Sequence, residues 1–171
     1  MIKKEVDVSA PVHELITGRW SGVSYDPQQM VKDDDLRAMA EAARWAPSCF
    51  GDQPWCQHAP VLAIICADSR FSKNDKDNAW GEYDTGAAAL SVCLQASALG
   101  LMTHQMAGFS PEDAREAFNI PDRYQPKAMM TIGFQCAQTD IPEEFRQREL
   151  APRQRNPLSE NFFLNGWGKG F

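Results

Sequence analysis

A stretch without charge near the middle of this 171-residue chain limits its possible folds more than any other part of the sequence. Residues 85–99 carry no charged side chain, and residues 86–89 (Gly-Ala-Ala-Ala) add almost no side-chain bulk. Asp84 can cap a helix here and Gly100 can end it. The composition predicts a helix that is buried on nearly all sides. Its small residues would let a second helix or a ligand approach the backbone closely.

Strand-like segments lie on both sides of this helix in the sequence. Residues 61–67 are wholly apolar, which is typical of a strand covered on both faces. Residues 101–106 form a second predicted strand, and residues 127–134 a third with Met129, Met130 and Ile132 in the core. Further helices are predicted over residues 33–45, where apolar residues recur at helical spacing, and after Ser110-Pro111. The pattern indicates a single layered α/β or α+β domain over residues 1–171.

Composition narrows the classes of function. The net charge of −6 disfavours nucleic acid as the main partner. No apolar run approaches the roughly 20 residues of a membrane-spanning helix, and no apolar stretch follows the basic residues at the N-terminus, so we expect a soluble, cytoplasmic protein without a membrane partner. The five cysteines form no CxxC pair, and no second ligand pair follows Cys56 and His58. We therefore predict no metal site.

The C-terminal part is unusual. From Cys136 onward the chain is polar and punctuated by prolines, yet it ends in five large apolar residues: Phe162, Phe163, Leu164, Trp167 and Phe171. So many apolar side chains would make an exposed sticky surface. Either the tail folds onto its own domain or it embraces a second copy of the chain, and its length favours an arm over about 137–171 that is exchanged in a homodimer.

Two groups of residues could hold an anion. Arg19-Trp20-Ser21 lies just before a predicted turn, and Arg153 and Arg155 alternate about Gln154. In an extended chain residues two apart point the same way, so both guanidinium groups can grip one phosphate. The alternative is an ordinary solvated basic surface.

A third candidate is the segment from Gln105 to Phe109, where a strand ends at Gly108 before a capped helix. Ligands commonly bind at such strand ends. The alternative is a tight strand-to-helix turn with no ligand. The sequence has no GxSxG, no GxGxxG and no phosphate-binding glycine loop. Anion-binding arginines without acid–base machinery favour a protein whose cofactor carries the chemistry, so no catalytic side chain is predicted.

Several motifs together resemble the nitroreductase family, and their order covers almost the whole chain. They are Arg44-Trp45-Ala46-Pro47-Ser48-Cys49-Phe50 with Gln53-Pro54-Trp55, then Tyr83-Asp84-Thr85-Gly86-Ala87-Ala88-Ala89 with Cys93-Leu94-Gln95-Ala96 and Leu99-Gly100-Leu101, then Gly108-Phe109 and Ile120-Pro121. The ending is similar to the flavin-reductase-like branch of that family in Arg148-Glu149-Leu150-Ala151-Pro152-Arg153-Gln154-Arg155 with Pro157-Leu158-Ser159.

The resemblance implies an α+β, three-layer fold with a mainly antiparallel central sheet, and a homodimer with FMN at the subunit interface. It implies hydride transfer from NADH or NADPH to the flavin and onward to a nitroaromatic, a quinone or free flavin. The backbone of Ala107 and Gly108 would face the reactive edge of the flavin. The other cofactor-binding residues that it implies are Arg19, Trp20, Ser21, Pro47, Ser48, Cys49, Met106, Arg153 and Arg155.

The sequence also departs from the family pattern. Val23 and Gly51 replace residues that are often basic and often asparagine in relatives, and Trp55 runs straight into Cys56 without the strand, helix and short motif that relatives place there. An active FMN enzyme is therefore one hypothesis, and a degenerate member that binds flavin or another anion without efficient turnover is a second. A purely structural or interaction dimer is a third.

Overall fold

The fold was obtained as a computed structural model that describes residues 6, 8, 10–19, 33–44, 59–152 and 155–170. The chain divides into two compact units. The first combines Met1–Trp20 with Pro47–Gln135, and the second combines Ser21–Ala46 with Cys136–Phe171. The prediction of one domain over residues 1–171 stays a prediction.

A three-stranded antiparallel sheet forms the centre of the first unit. Its strands are β1 (Val61–Asp68), β2 (Met102–Met106) and β3 (Tyr124–Gly133), in the order β1-β3-β2. The prediction of strands over 61–67 and 101–106 is confirmed. The first two residues of β1 are about half exposed, so in the single chain the expectation of a strand covered on both faces is wrong at that end.

Strand β3 begins three residues before the predicted start at Lys127. Ile65 pairs with Ala128 while Cys66 pairs with Pro126, so that Lys127 is an extra residue at a β-bulge. Strand β2 pairs only with residues 129–133 of β3, so in the described sheet Pro126 lies where β3 has one neighbour. Proline lacks a backbone N–H and is tolerated at such edges and bulges. Strand β3 therefore continues through Pro126, although proline usually ends a strand.

Helix α3 (Gly81–Ala98) packs against β1 and β2. Its buried residues Ala89 and Cys93 form a core with Met130, and Ala63, Ile65 and Ile132 pack against that core. The predicted cap at Asp84 is wrong, because the helix begins at Gly81 and the Asp84 N–H already donates to the Trp80 carbonyl at 2.9 Å. The polar loop before the helix is tied to β1 through the Asn78 side chain, which donates to the Asp68 carbonyl and so starts the helix earlier.

The prediction that α3 is buried on nearly all sides is wrong for the single chain. Only Gly81, Ala89, Cys93 and Ala96 are buried along its length. Tyr83, Leu90 and Leu94 are exposed at helical spacing, and Leu94 is 55% exposed. We call these three residues the exposed apolar face of α3. One helix side packs on the sheet, and within the described part of the chain the three side chains on the other side stay exposed.

Two further helices lie in the described part of the first unit. Helix α4 (Pro111–Phe118) packs on β3, and the predicted Ser110 cap is confirmed, since its hydroxyl accepts the Asp113 N–H at 3.1 Å. Near the N-terminus, one helical turn forms α1 (Glu14–Thr17). None of the described helices combines the length and apolar character that a membrane span needs.

The second unit contains α2 (Asp33–Arg44), a 3-10 turn (Gln138–Asp140), α5 (Glu143–Leu150) and α6 (Leu158–Asn161), with α2 contacting α6. The predicted helix over 33–45 is confirmed. The C-terminal segment is not a purely extended arm, because two helices form within it.

After α6 the chain folds into a compact turn over residues 163–170. Phe163 bridges to Gly170, and the Leu164 N–H donates to the Lys169 carbonyl at 3.0 Å. The rings of Phe163 and Trp167 contact each other at 4.9 Å between centroids, while Trp167 stays 92% exposed. Part of the apolar tail therefore packs on itself. Exchange of this arm in a homodimer stays a prediction.

Candidate functional site

The structure describes part of the predicted cofactor site. Arg19, Met106, Ala107, Gly108 and Arg155 lie within the described residues. The other predicted residues lie outside them: Trp20, Ser21, Pro47, Ser48, Cys49 and Arg153. Arg19 belongs to the first unit and Arg155, which is half-buried, to the second.

The end of β2 provides the clearest part of the site. Met106 is 1% exposed and pairs with Met129, so its side chain belongs to the core rather than to the surface. Directly after it, Ala107 and Gly108 are exposed. No acceptor among the described residues lies within hydrogen-bond range of the Gly108 N–H. The chain after β2 therefore exposes its backbone at the surface, and Gly108 has no side chain to cover it.

The turn after Gly108 is locally fixed. The Phe109 N–H donates to the Ala107 carbonyl at 2.9 Å, and the Ser110 cap begins α4. The tight strand-to-helix turn that the sequence allowed is therefore present. A fixed turn of this kind also suits a ligand site, because its backbone groups need little rearrangement when a ligand binds.

A hydrogen bond holds β2 to α3 just before this turn. The Gln105 side-chain amide donates to the Cys93 Sγ at 3.3 Å, and Cys93 is buried in the core. Sulfur is a weak acceptor. The contact nevertheless gives the Gln105 amide nitrogen, close to the site, a partner in the core. The apolar surroundings of Cys93 in the sequence agree with its place in the core, but its contact with Gln105 was not predicted.

The N-terminal segment that leads to Arg19 is tied to α3. The His13 N–H donates to Gln95 Oε1 at 2.9 Å, and Gln95 Nε2 donates to the Pro11 carbonyl at 3.4 Å. His13 Nδ1 in turn accepts the Leu15 N–H at 3.3 Å and caps α1. This connection was not predicted from the sequence, because it joins residues more than 80 positions apart.

Among the described residues, three titratable groups have displaced pKa values: Asp68, its partner Arg123, whose pKa the hydrogen bonds to Asp68 raise, and Cys66. Arg123 donates to both carboxylate oxygens of Asp68 at 2.7 Å, and these hydrogen bonds hold the pKa of Asp68 below its usual value. Burial raises the pKa of the Cys66 thiol, and the charge of Arg115 partly opposes that rise. The first pair joins the end of β1 to the residues before β3, which is a structural role. Within the described part of the chain, no three His, Cys, Asp or Glu side chains converge as metal ligands do.

Comparison with known proteins decides the family. The model of the nitroreductase family matches residues 50–134, which include all three strands and α3 and α4. A 110-residue region is 31% identical to an uncharacterized 15.4 kDa protein in the ask 5' region of Mycolicibacterium smegmatis, covering 64% of this chain and 73% of that protein. The chain belongs to the nitroreductase family.

Two further relatives of this nitroreductase-family chain span more of it. A crystal structure of an oxidoreductase containing FMN superposes with a TM-score of 0.59 at 26% identity, covering 94% of this chain and 95% of that one. A protein of Archaeoglobus fulgidus, provisionally named NADH dehydrogenase/NAD(P)H nitroreductase, is 24% identical over 157 residues, 76% of this chain and 88% of that protein.

These similarities test the sequence predictions. The predicted family and the α+β, nitroreductase-like fold are confirmed. Membership of this family makes the chain an oxidoreductase. Part of the predicted site, the segment from Met106 to Gly108, lies inside the matched region. The roles of the individual site residues stay predictions.

Proposed function

We propose that the chain is a cytoplasmic FMN-dependent NAD(P)H oxidoreductase of the flavin-reductase-like branch. The observation that carries the proposal is the end of β2, where Ala107 and Gly108 are exposed and the Gly108 N–H lacks an acceptor among the described residues. A backbone donor aimed at a flavin stabilises the negative charge that reduction creates. The similar structure of an oxidoreductase containing FMN supports this cofactor.

The residues present fit FMN. Its phosphate needs positive donors, and Arg19 on the exposed N-terminal segment is of that type, as are Arg153 and Arg155. Its ring needs a surface without bulky side chains, and Ala107 and Gly108 offer one. When bound, FMN supplies the hydride chemistry between NADH or NADPH and a nitroaromatic, a quinone or free flavin. This chain would supply orientation and charge stabilisation.

We also propose that two copies form the working unit. The exposed apolar face of α3 is the kind of surface that a second subunit covers. The tail offers a second contact, because Trp167 is exposed at the tip of the C-terminal turn. The segment with Pro47, Ser48 and Cys49 would then approach the flavin of the partner.

An absorbance spectrum of the purified protein, before and after addition of FMN, tests the cofactor. We expect yellow protein with a bound-flavin band, and a protein that stays colourless after FMN is added contradicts the proposal. Arg155→Ala should raise the dissociation constant for FMN by about tenfold or more, as expected for loss of a charge-assisted hydrogen bond. Lys73→Ala is the matched control, because it removes one positive charge from an exposed loop.

A second candidate function is flavin binding without efficient turnover. The direct junction of Trp55 and Cys56 favours it, since relatives carry a flavin-contacting asparagine in the stretch that is missing here. Steady consumption of NADH or NADPH with a nitroaromatic or quinone acceptor would eliminate this candidate. FMN binding with no such consumption would favour it over the enzyme.

A further inference from the structure

The Gln95 side chain forms an unusual junction in the first unit. It lies on α3, and its amide pairs with the backbone of a segment more than 80 residues earlier in the sequence. The oxygen accepts from His13 while the nitrogen donates to Pro11. An amide that uses both its groups in this way fixes the distance and the orientation of the backbone that it binds.

The helix of this segment is only weakly packed. Helix α1 contributes no buried residue, and Leu15 is 78% exposed. A single helical turn is not stable on its own. His13, which is bound by the Gln95 amide, caps the start of α1. The Gly18 N–H donates to the Glu14 carbonyl at 2.7 Å at the end of α1, and Arg19 follows directly.

Helix α3 therefore holds two parts of the candidate site. Cys93 accepts the hydrogen bond of Gln105, which lies three residues before Gly108. Gln95, two residues further along the same helix, holds the segment that carries Arg19. Residues two apart on a helix point in different directions. One side of the helix thus holds the strand that leads to Ala107 and Gly108. Another side holds residues 11–19, which we call the N-terminal arm.

We propose that Gln95 is a positioning residue that sets where Arg19 meets the phosphate of FMN, an inference that rests on the proposed function. It selects for the phosphorylated flavin by holding the arm in place before the ligand arrives. Preorganisation of this kind raises affinity because less ordering is needed on binding. The residue acts through the arm and has no contact with the ring chemistry.

Gln95→Met tests the inference, because methionine keeps the length and helix propensity of the side chain but removes both hydrogen bonds. The matched control is Ser91→Ala, which removes a hydrogen bond to the Ala87 carbonyl within the same helix and leaves the arm untouched. Dissociation constants for FMN and for riboflavin, which lacks the phosphate, are measured with each variant and with the wild type. Hydrogen exchange of residues 12–18 reports on the arm without any cofactor.

We expect Gln95→Met to weaken FMN binding by about fivefold to tenfold, the effect of losing one or two ordinary hydrogen bonds, while riboflavin binding stays unchanged. Amide exchange of the arm should quicken in the same variant. In an Arg19→Ala background Gln95→Met should cost little further FMN affinity, because both residues act on one contact. Ser91→Ala should leave all of these values at the wild-type level.

Other outcomes overturn the inference. If the wild type prefers FMN to riboflavin and Gln95→Met leaves that preference unchanged, the inference about Gln95 is wrong while the proposed function stands. An equal loss of affinity for both flavins does the same, because it shows general damage to the fold, as does full additivity with Arg19→Ala. A wild type that binds neither flavin overturns the proposed function and this inference with it.

Discussion

Asp68 and Arg123 form the best-defined ion pair among the described side chains. The guanidinium binds both carboxylate oxygens at 2.7 Å, and it also donates to the Arg70 carbonyl at 3.1 Å. Ser69 adds a hydrogen bond from its hydroxyl to the Arg123 carbonyl at 2.7 Å. The end of β1 and the residues before β3 are thereby joined through both side chain and backbone.

This pair predicts how stability depends on pH. The folded protein holds the pKa of Asp68 below its unfolded value of about 4, so its contribution is present above that pH and is lost as the pH falls through the folded value. Thermal unfolding should show a lower melting temperature for Asp68→Asn at neutral pH, with the gap to wild type closing below about pH 4. Asp77→Asn, which removes an exposed carboxylate from the neighbouring loop, should show no such gap. A gap that persists at acid pH would contradict the role of this charge.

Some of the contacts made by single residues could be predicted from the sequence and others could not. The Ser110 cap and the core positions of Cys93 and Met130 could be predicted, because each depends on near neighbours in sequence or on apolar character. The pairing of Gln95 with residues 11 and 13 could not, because neither local spacing nor residue type indicates a contact across such a separation. The same holds for Gln105 and Cys93.

Among the secondary-structure elements, β1 and β2 follow their predicted bounds closely and α4 begins where it was predicted to, since their apolar patterns and cap are local signals. The predicted bounds are wrong where tertiary contacts determine where an element begins. Helix α3 begins early because the preceding loop is tied to β1, and β3 extends through Pro126 because a bulge accommodates it. The exposed side of α3 was predicted to be buried, because composition alone does not tell whether the covering surface belongs to the same chain.

The start of α3 allows a sharp test. A methyl group at Gly81 would collide with the Asp68 carbonyl and lie 3.2 Å from the Asn78 Nδ2. Gly81→Ala should therefore lower the free energy of unfolding by about 1–3 kcal/mol, although alanine favours helices. Ser97→Ala, at an exposed position of the same helix, should leave that free energy unchanged or slightly raised. Chemical denaturation measures both, and a Gly81→Ala protein as stable as wild type would show that the junction is loose.

At the scale of the whole molecule, the proposed homodimer makes the exposed apolar face of α3 an interface. Leu94→Glu should then raise the dimer dissociation constant by about tenfold or more, because it would bury a charge. Light scattering over a dilution series measures the change. Phe118→Glu, on the exposed side of α4, is the control and should remain dimeric. Equal behaviour of the two variants would place the interface elsewhere.

The tail makes an independent prediction about assembly. Truncation after Pro157 removes α6 and the turn with Trp167, and we expect a monomer or an aggregate by light scattering. The full-length Trp167→Ala variant keeps α6 and should weaken the dimer less. A truncated protein that remains an intact, soluble dimer would contradict the prediction that the C-terminal arm is exchanged between subunits.

The contact between α2 and α6 has a consequence for how the protein is made. Both helices belong to the second unit, yet roughly a hundred residues separate them along the chain, and the sheet of the first unit is encoded between them. At ordinary translation speeds the ribosome needs on the order of 10 s to cover that interval. The strands can pair during this delay, whereas α2 must wait for its partner until synthesis is nearly finished. Nascent chains stalled before Leu158 should therefore yield a protease-resistant sheet with α2 still open to cleavage.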